Sequence, residues 1–519
     1  PDTTTTQVCK MERGARLFKD RNYNEMGGTP ASLMGKSFLY SNFEVGGSAT
    51  VTEAGTVYIQ IPTKNKNIAY PELLTQITEA GFTEAPYRVF RNNKGIGYSQ
   101  RIYQKEVSVG ETIHFGKYNL VFFGALENEE DYYVIPSISL GAKVYNNPLE
   151  NPSAPTNERC TYKPADRNWQ GCPVITITGG PTGKRLWAGW FTGGKDELGK
   201  GNLAVLLYSD DDGQTWIDPA VAFVHPDESV KVTKPQVWTM DDGRLWVSWT
   251  QDMATGTFDG KMGTWAAICE NPGAANPNDF KWSEPKRLFD GRGNGKITVI
   301  NKEDGSQEWL TTAFDWIDRD YSKVYSSVDK GQTWTFKGKA FVTGSEFNNA
   351  VMVERRDESG GTYLWMLLRQ LSGNMKESFS YDGGVTWTNG KVSAIAHPNS
   401  AIYLSRTKSG KLLMINHKDF SGRNNLTAFL SDDEGVTWKT LLLDERSGVS
   451  YPDVVEDNGM FYIVYDYDRF KTGQMYMATL TENDIIEGRF HRLYCNPGRT
   501  IAVLYVDVRK IQVDLFRSD

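Results

Sequence analysis

One eight-residue pattern, Ser-x-Asp-x-Gly-x-Thr-Trp, occurs four times in this chain: SDDDGQTW at 209–216, SVDKGQTW at 327–334, SYDGGVTW at 380–387 and SDDEGVTW at 431–438. Recurrence at a period of about 40 to 50 residues is the signature of propellers and solenoids. Each copy has the chemistry of a hairpin turn. The Asp carboxylate accepts backbone N–H bonds, Gly takes a positive φ, and Trp packs beneath the turn. Asp211, Asp329, Asp382 and Asp433 are therefore read as turn-forming and not as a catalytic set.

The last three copies start 53 and 51 residues apart, and the first gap of 118 is about two such periods. One unit between the first two copies has therefore lost the pattern, and residues 261–288, with KWSEP near their end, fit it. Between copies the chain runs in short apolar stretches broken by Asp-Gly or Ser-Gly, as in MDDGRLWVSW at 240–249 and TKSGKLLMINH at 407–417. These are hairpin signals. The reading is an all-β chain with a six-bladed β-propeller over residues 159–519, each blade a four-stranded sheet. Residues 1–145 lack the pattern and alternate in β-type runs, GTVYIQIP at 55–62 and YNLVFFG at 118–124, around one helix-like stretch at 70–80. They are read as a small β-sandwich-like accessory domain, joined through a Pro- and Asn-rich linker at 146–158.

Composition excludes several classes. With 57 Lys and Arg against 64 Asp and Glu, and no basic run, nothing tracks a phosphate backbone, so nucleic acid is not an expected partner. No apolar stretch reaches the roughly 18 residues that a membrane-spanning helix needs. The five cysteines have no metal-ligand spacing; neither a metal nor an organic cofactor is expected. Such sparse usage favours buried free thiols over a Cys160–Cys172 disulfide.

The four repeats, with the six-unit count, resemble the Asp boxes (BNR repeats) of the sialidase, or neuraminidase, superfamily, of the glycoside hydrolase family 33 type. That resemblance implies three arginines on a substrate carboxylate, an Asp acid/base, and a Tyr nucleophile paired with a Glu. The stretch GSEFNNAVMVERRDESGGTYLWMLLRQLSGNMKESFSYDGG at 344–384, leading into the third box, puts Glu346 and Arg369 in the matching places. HKDFSGRNN before the fourth box supplies Arg423, and GVSYPDVVEDNG after it supplies Tyr451. Asp196, in TGGKDELGKG ahead of the first box, is the matching acid/base, with Glu197 as its fallback. The family's first arginine belongs to an Arg-Ile-Pro motif, but here the chain reads Gly171-Cys172-Pro173. Arg167, four positions earlier, is the candidate substitute.

The implied activity is removal of terminal sialic acid, or a related acidic sugar, from glycans with retention of configuration. Two alternatives stay open: a noncatalytic sugar-binding propeller, or a glycosidase or lyase for another uronic or ulosonic acid. The expected partners are sialylated or other acidic glycans. A start at Pro1 accommodates a secretion signal already removed, and the expected setting is bacterial: secreted, periplasmic or on the cell surface.

Overall fold

The structure is a computed structural model that describes residues 7–10, 12, 16–18, 21–24, 35–41, 45–61, 63–64, 68–69, 71–91, 98–116, 120–123, 140–155, 162–194, 196–197, 199, 201–227, 229–253, 262–314, 321–342, 349–371, 373–488 and 502–503. The chain divides into two compact units, one built mainly on residues 1–137 and one holding the described residues from 140 onward.

In the first unit, six strands form one sheet in the order Gln7–Lys10, Ser37–Tyr40, Leu120–Phe123, Gly55–Ile61, Tyr98–Val107, Thr83–Arg91. A helix, Pro71–Glu79, falls where the helix-like stretch was expected. Its Ile77 shares a core with Val57, Ile59, Tyr103 and Val121 of the sheet and with Ile113 of a separate two-stranded pair.

Among the described residues the second unit is a succession of six sheets, here I to VI, laid down in chain order and antiparallel except where Ala502–Val503 pairs parallel to the third strand of VI. Their first strands are Gln170–Thr178, Val230–Thr239, Arg292–Asn301, Ala350–Arg356, Tyr403–Arg406 and Val449–Asp457. Second strands such as Arg185–Thr192, RLWAGWFT, are buried at every position. A strand covered on both faces has no solvated side to alternate with, which is why these stretches read as nearly continuous apolar runs. The fourth strand of sheet IV, Lys391–Ala396, is mostly exposed.

Each box joins the third and fourth strands of its sheet, in sheets I, III, IV and V. The four turns share their Ser, Asp, Gly and Thr bonds, and those in sheets I, III and IV add one from the Trp indole. In sheet IV, Ser380 Oγ donates to Asp382 at 2.8 Å and accepts the Gly384 N–H at 2.8 Å, Thr386 N and Oγ1 donate to Asp382, and Trp387 Nε1 donates to the Gly384 carbonyl. The Gly residues take φ between 82° and 102°. Against the desolvation that would raise it, the Thr386 and Ser380 bonds hold the Asp382 carboxyl down at about 2. The turn asparagine-like role expected of these carboxylates is what the structure displays.

Sheet II lacks the box, as the long first gap implied; there Trp282 bridges to Cys269 and its indole N–H bonds Asn146 Oδ1 at 3.0 Å. Lys143–Asn146 adds a fifth strand to sheet I beside Ile217–Val224, and the Asn147 N–H bonds the Ala220 carbonyl at 2.8 Å. The start of the stretch expected as a linker is thus tied into the second unit. Its Pro and Asn content reflects turns stitched to a sheet edge. In sheet VI the third strand, Gln474–Thr481, runs into a short helix, Glu482–Glu487, whose Thr481 cap is reciprocated by Asp484.

Every sheet packs on the next through its own apolar cluster. Trp187 meets Trp249 between I and II, Trp246 meets Trp309 between II and III, and Leu310 meets Met352 between III and IV. Trp365 meets Met414 between IV and V, and Ile415 meets Val454 between V and VI. A sixth cluster, with Val464 and Met477 against Ala188 and Val205, joins VI back to I. In the middle, the Lys296 ammonium lies 2.8 Å from Asp453 and donates to the carbonyls of Ile175 and Val237. One side chain of sheet III thus engages the first strands of I, II and VI. Among the described residues no helix is long and apolar enough to cross a membrane.

Candidate active site

Four of the six first strands carry a register break at which one residue turns to positive φ: Cys172 (59°), Lys234 (49°), Gly295 (69°) and Tyr451 (53°). A bulge re-aims the side chain it holds. A bulky residue in this region stores about 1–3 kcal/mol of strain, a device concentrated at functional sites. Three of the four are followed by proline: Pro173, Pro235 and Pro452. Proline donates no N–H and so fits a place where the ladder is already broken.

The three side chains re-aimed in this way meet. Lys234 Nζ lies 2.8 Å from Cys172 Sγ and 4.0 Å from the centre of the Tyr451 ring. Around the same ring stand the guanidinium groups of Arg469 at 4.3 Å, Arg423 at 5.5 Å and Arg369 at 6.0 Å. Arg369 Nη1 donates to Tyr451 Oη at 3.1 Å and its Nε to Asn399 Oδ1 at 2.7 Å, while Arg423 Nη2 donates to the Asn399 carbonyl at 2.9 Å. Asn399 therefore spaces two arginines from one residue. The Arg423 carbonyl accepts the N–H groups of Gly448 and Val449, which fixes the start of the strand bearing Tyr451.

Two carboxylates face the four cations. Glu197 Oε2 lies 3.2 Å from Arg469 Nη2, and Asp466, fully buried, accepts from the Ser450 hydroxyl and the Cys172 N–H and lies 3.8 Å from Arg469 Nη1. The mouth is thus positive in a chain whose net charge is −7. Burial pushes the Tyr451 phenol up, but Arg369, Lys234 and Arg469 overcome it and bring it from 10.0 down to about 8. Burial would raise the Glu197 carboxyl, yet Arg469, Lys234 and Arg292 pull it below its ordinary value. Burial wins at Cys172, whose thiol is raised despite Lys234 and Arg469, so it stays neutral. A second depression beside the first is lined by Glu197, Lys231, Lys234, Asp252 and Arg292. Among the described residues no three His, Cys, Asp or Glu converge as metal ligands.

Of the residues expected from sequence, Arg369, Arg423 and Tyr451 stand together. Asp196 is exposed on the loop that carries Glu197, and Asn202 holds that loop by donating to both their carbonyls, at 3.1 and 3.0 Å. Of this adjacent pair, it is Glu197 whose carboxylate pairs with Arg469. Glu346 lies outside the described residues. Arg167 requires correction: it is bound to both oxygens of Asp218, at 2.7 and 3.1 Å, and to the Tyr162 carbonyl, over the Trp190 ring. Its buried side chain is committed to that ion pair, so it does not replace the missing arginine. His417 is buried and bonds the Asn424 carbonyl at 2.8 Å, a packed histidine as expected. Cys172 is a buried free thiol, and Cys160 lies outside the described residues.

The sequence analysis singles out neither Lys234 nor Asn399, nor Arg469, which closes the run YDYDR at 465–469. A signal for Lys234 existed: Lys234-Pro235 repeats the x-Pro of Cys172-Pro173 and Tyr451-Pro452 at the same point of a first strand.

A family model described as a BNR repeat-like domain matches residues 184–463. The xyloglucanase Xgh74A of Acetivibrio thermocellus is 28% identical over 187 residues, which make up 31% of this chain and 22% of that protein. The chain therefore spans less than a quarter of that relative. Among solved structures, the Hadza microbial sialidase Hz136 is 15% identical with a TM-score of 0.47, over 92% of this chain and 99% of that one. A mutant of the NanB sialidase from Streptococcus pneumoniae is 12% identical with a TM-score of 0.48, over 85% and 98%.

Proposed function

Since the chain belongs to the BNR repeat-like domain family, we propose that it is a glycoside hydrolase of the exo-α-sialidase kind, removing a terminal sialic acid or related acidic sugar from glycans. In this reading the ring of sheets is a six-bladed propeller, the β-rich unit before it is an accessory domain, and the glycans lie outside the cytoplasm. The observation that carries the reading is Tyr451, held in a left-handed bulge with its Oη bonded to Arg369 and its ring enclosed by Lys234, Arg369, Arg423 and Arg469. A positive, largely buried mouth suits a sugar bearing a carboxylate, which guanidinium groups bind through paired hydrogen bonds.

A carboxylate beside the anomeric carbon would repel a carboxylate nucleophile, and a phenol avoids that repulsion. Sialidases with a tyrosine nucleophile are the recognised departure from the two-carboxylate scheme. Here Tyr451 oxygen bonds to the anomeric carbon as the bond to the departing oxygen breaks, and Asp196 gives that oxygen a proton. Glu346 takes the phenol proton, a step eased by the cations that lower the phenol's pKa. Water, deprotonated by Asp196, then displaces Tyr451, and two inversions retain configuration. Glu197 is the weaker choice of acid, because its cationic neighbours favour the ionised form.

The test is hydrolysis of a fluorogenic α-sialoside by the purified chain. Turnover is expected, abolished in Tyr451→Phe and reduced roughly 10²- to 10⁴-fold in Asp196→Ala, the range for losing a general acid. No turnover by the parent at high concentration overturns the sialidase reading in favour of another acidic sugar or a binding propeller.

A further inference from the structure

Gly171 and Arg469 compete for one space. A Cβ placed on Gly171 would lie 3.2 Å from Arg469 Cδ, 3.2 Å from Asp466 Oδ2 and 3.1 Å from the Trp169 ring. Each of these is tighter than ordinary contact, and none of the three neighbours is a loose surface group: Trp169 is 2% exposed, Asp466 0% and Arg469 6%. A side chain at 171 would therefore crowd the Arg469 stem and require it, Asp466 and Trp169 to give way. Position 171 is also where the sequence resemblance leaves its first arginine unfilled.

The guanidinium of Arg469 reaches the mouth from the end of the second strand of sheet VI, 298 positions along the chain from Gly171. It stands 4.3 Å from the Tyr451 ring, nearer than Arg369 or Arg423. Its donors are incompletely used by the protein. Nη2 meets Glu197 at 3.2 Å, Nη1 meets the weak sulfur acceptor of Cys172 at 3.6 Å and lies 3.8 Å from Asp466, and Nε, buried, has no acceptor among the described residues. A guanidinium carries five N–H donors, and buried ones left without acceptors are rare in finished structures. A ligand anion at the mouth would supply the acceptors.

We infer that Arg469 is the third carboxylate-binding arginine of this site, entering from sheet VI through the space that Gly171 leaves empty on sheet I, so that the ligand is a sugar monocarboxylate held by Arg369, Arg423 and Arg469. This rests on the proposed function and adds a residue and a direction of approach to it. Glycine at 171 is then a requirement of the exchange and not a sign of a decayed site. Arginines at both positions would crowd each other, and arginine at neither would leave two guanidinium groups for the carboxylate.

The experiment measures, by calorimetry on the full chain, binding of N-acetylneuraminic acid and of its methyl ester, whose carboxylate charge is removed. The parent, Arg469→Ala, Gly171→Arg and the double variant Gly171→Arg/Arg469→Ala are compared, with sialoside turnover measured alongside. The parent is expected to prefer the acid. Arg469→Ala should lose about 30-fold or more of its affinity for the acid, the scale of truncating one partner of a desolvated charge pair, with little change for the ester. Gly171→Arg alone should bind the acid poorly, and the double variant should recover part of the preference. An unchanged acid-to-ester ratio in Arg469→Ala overturns the inference while parent turnover leaves the sialidase reading standing. A parent that shows no preference for the acid, with sialic, glucuronic or galacturonic acid and their esters, overturns both.

Discussion

The Lys234 ammonium lies 4.0 Å from the centre of the Tyr451 ring, and both residues are held there by positive φ, at 49° and 53°, on first strands of different sheets. A cation so near a buried phenol stabilises phenolate over phenol. Lys234→Met should therefore raise the Tyr451 pKa from about 8 toward its ordinary 10.0. Ultraviolet difference titration, with Tyr451→Phe as the blank, reads the shift. The rising limb of kcat/KM should move to higher pH with it, and an unmoved titration would remove Lys234 from the electrostatics of the site.

The Lys296–Asp453 pair in the middle of the sheets has side chains only 9% exposed on each partner. Removing one member strands the other. Lys296→Ala should lower stability by about 3–5 kcal/mol, whereas replacing both by apolar residues of similar volume should be near neutral. Urea unfolding of the single and double variants checks this, and equal losses in both would refute it.

Ser380 is buried, and its Oγ accepts the buried Gly384 N–H in its turn. Ser380→Ala should cost about 1–3 kcal/mol, the penalty of an unsatisfied buried donor. Turnover at room temperature should survive, because the turn lies outside the mouth. A shift in the urea midpoint with retained kcat is the expected pair of readings.

His397 and His417 are held down to about 4 by burial, with Arg369 adding to the effect at His397 and Arg423 at His417. Both are neutral when folded near neutral pH. Unfolded, each takes up a proton below about 6.5, so the unfolded state binds more protons between pH 6.5 and 4. Stability is full above 6.5 and falls as pH drops through that window, by about 3 kcal/mol for each histidine at its lower end. Thermal melts from pH 7 to 4.5 should show the decline, and His397→Gln should flatten it. The Asp382 carboxyl, at about 2, adds its loss only below 3.8.

What sequence can disclose here follows from how local each device is. The box turns close within eight residues, every bond running between positions that the motif itself names, so Ser380, Asp382, Gly384 and Trp387 announce their roles in order. The unit without a box was legible from spacing, and Tyr451, Arg369 and Arg423 from their offsets to the boxes. Arg469 was not, because its meaning lies in a vacancy at Gly171 that only the packed sheets bring beside it. Arg167 misled for the converse reason: nearness along the chain to Gly171 said nothing of Asp218, 51 positions away, which claims it. The bulge at Lys234 was written as an x-Pro pair, but its significance needs three strands seen side by side.

Sheet VI packs against sheet I, and the mouth draws Cys172 from the first of these and Tyr451 from the last. The seam where the last sheet meets the first is therefore also the place where Cys172 and Tyr451 are brought together. The cluster around Tyr451 is completed only when the first and last sheets of the second unit are brought face to face.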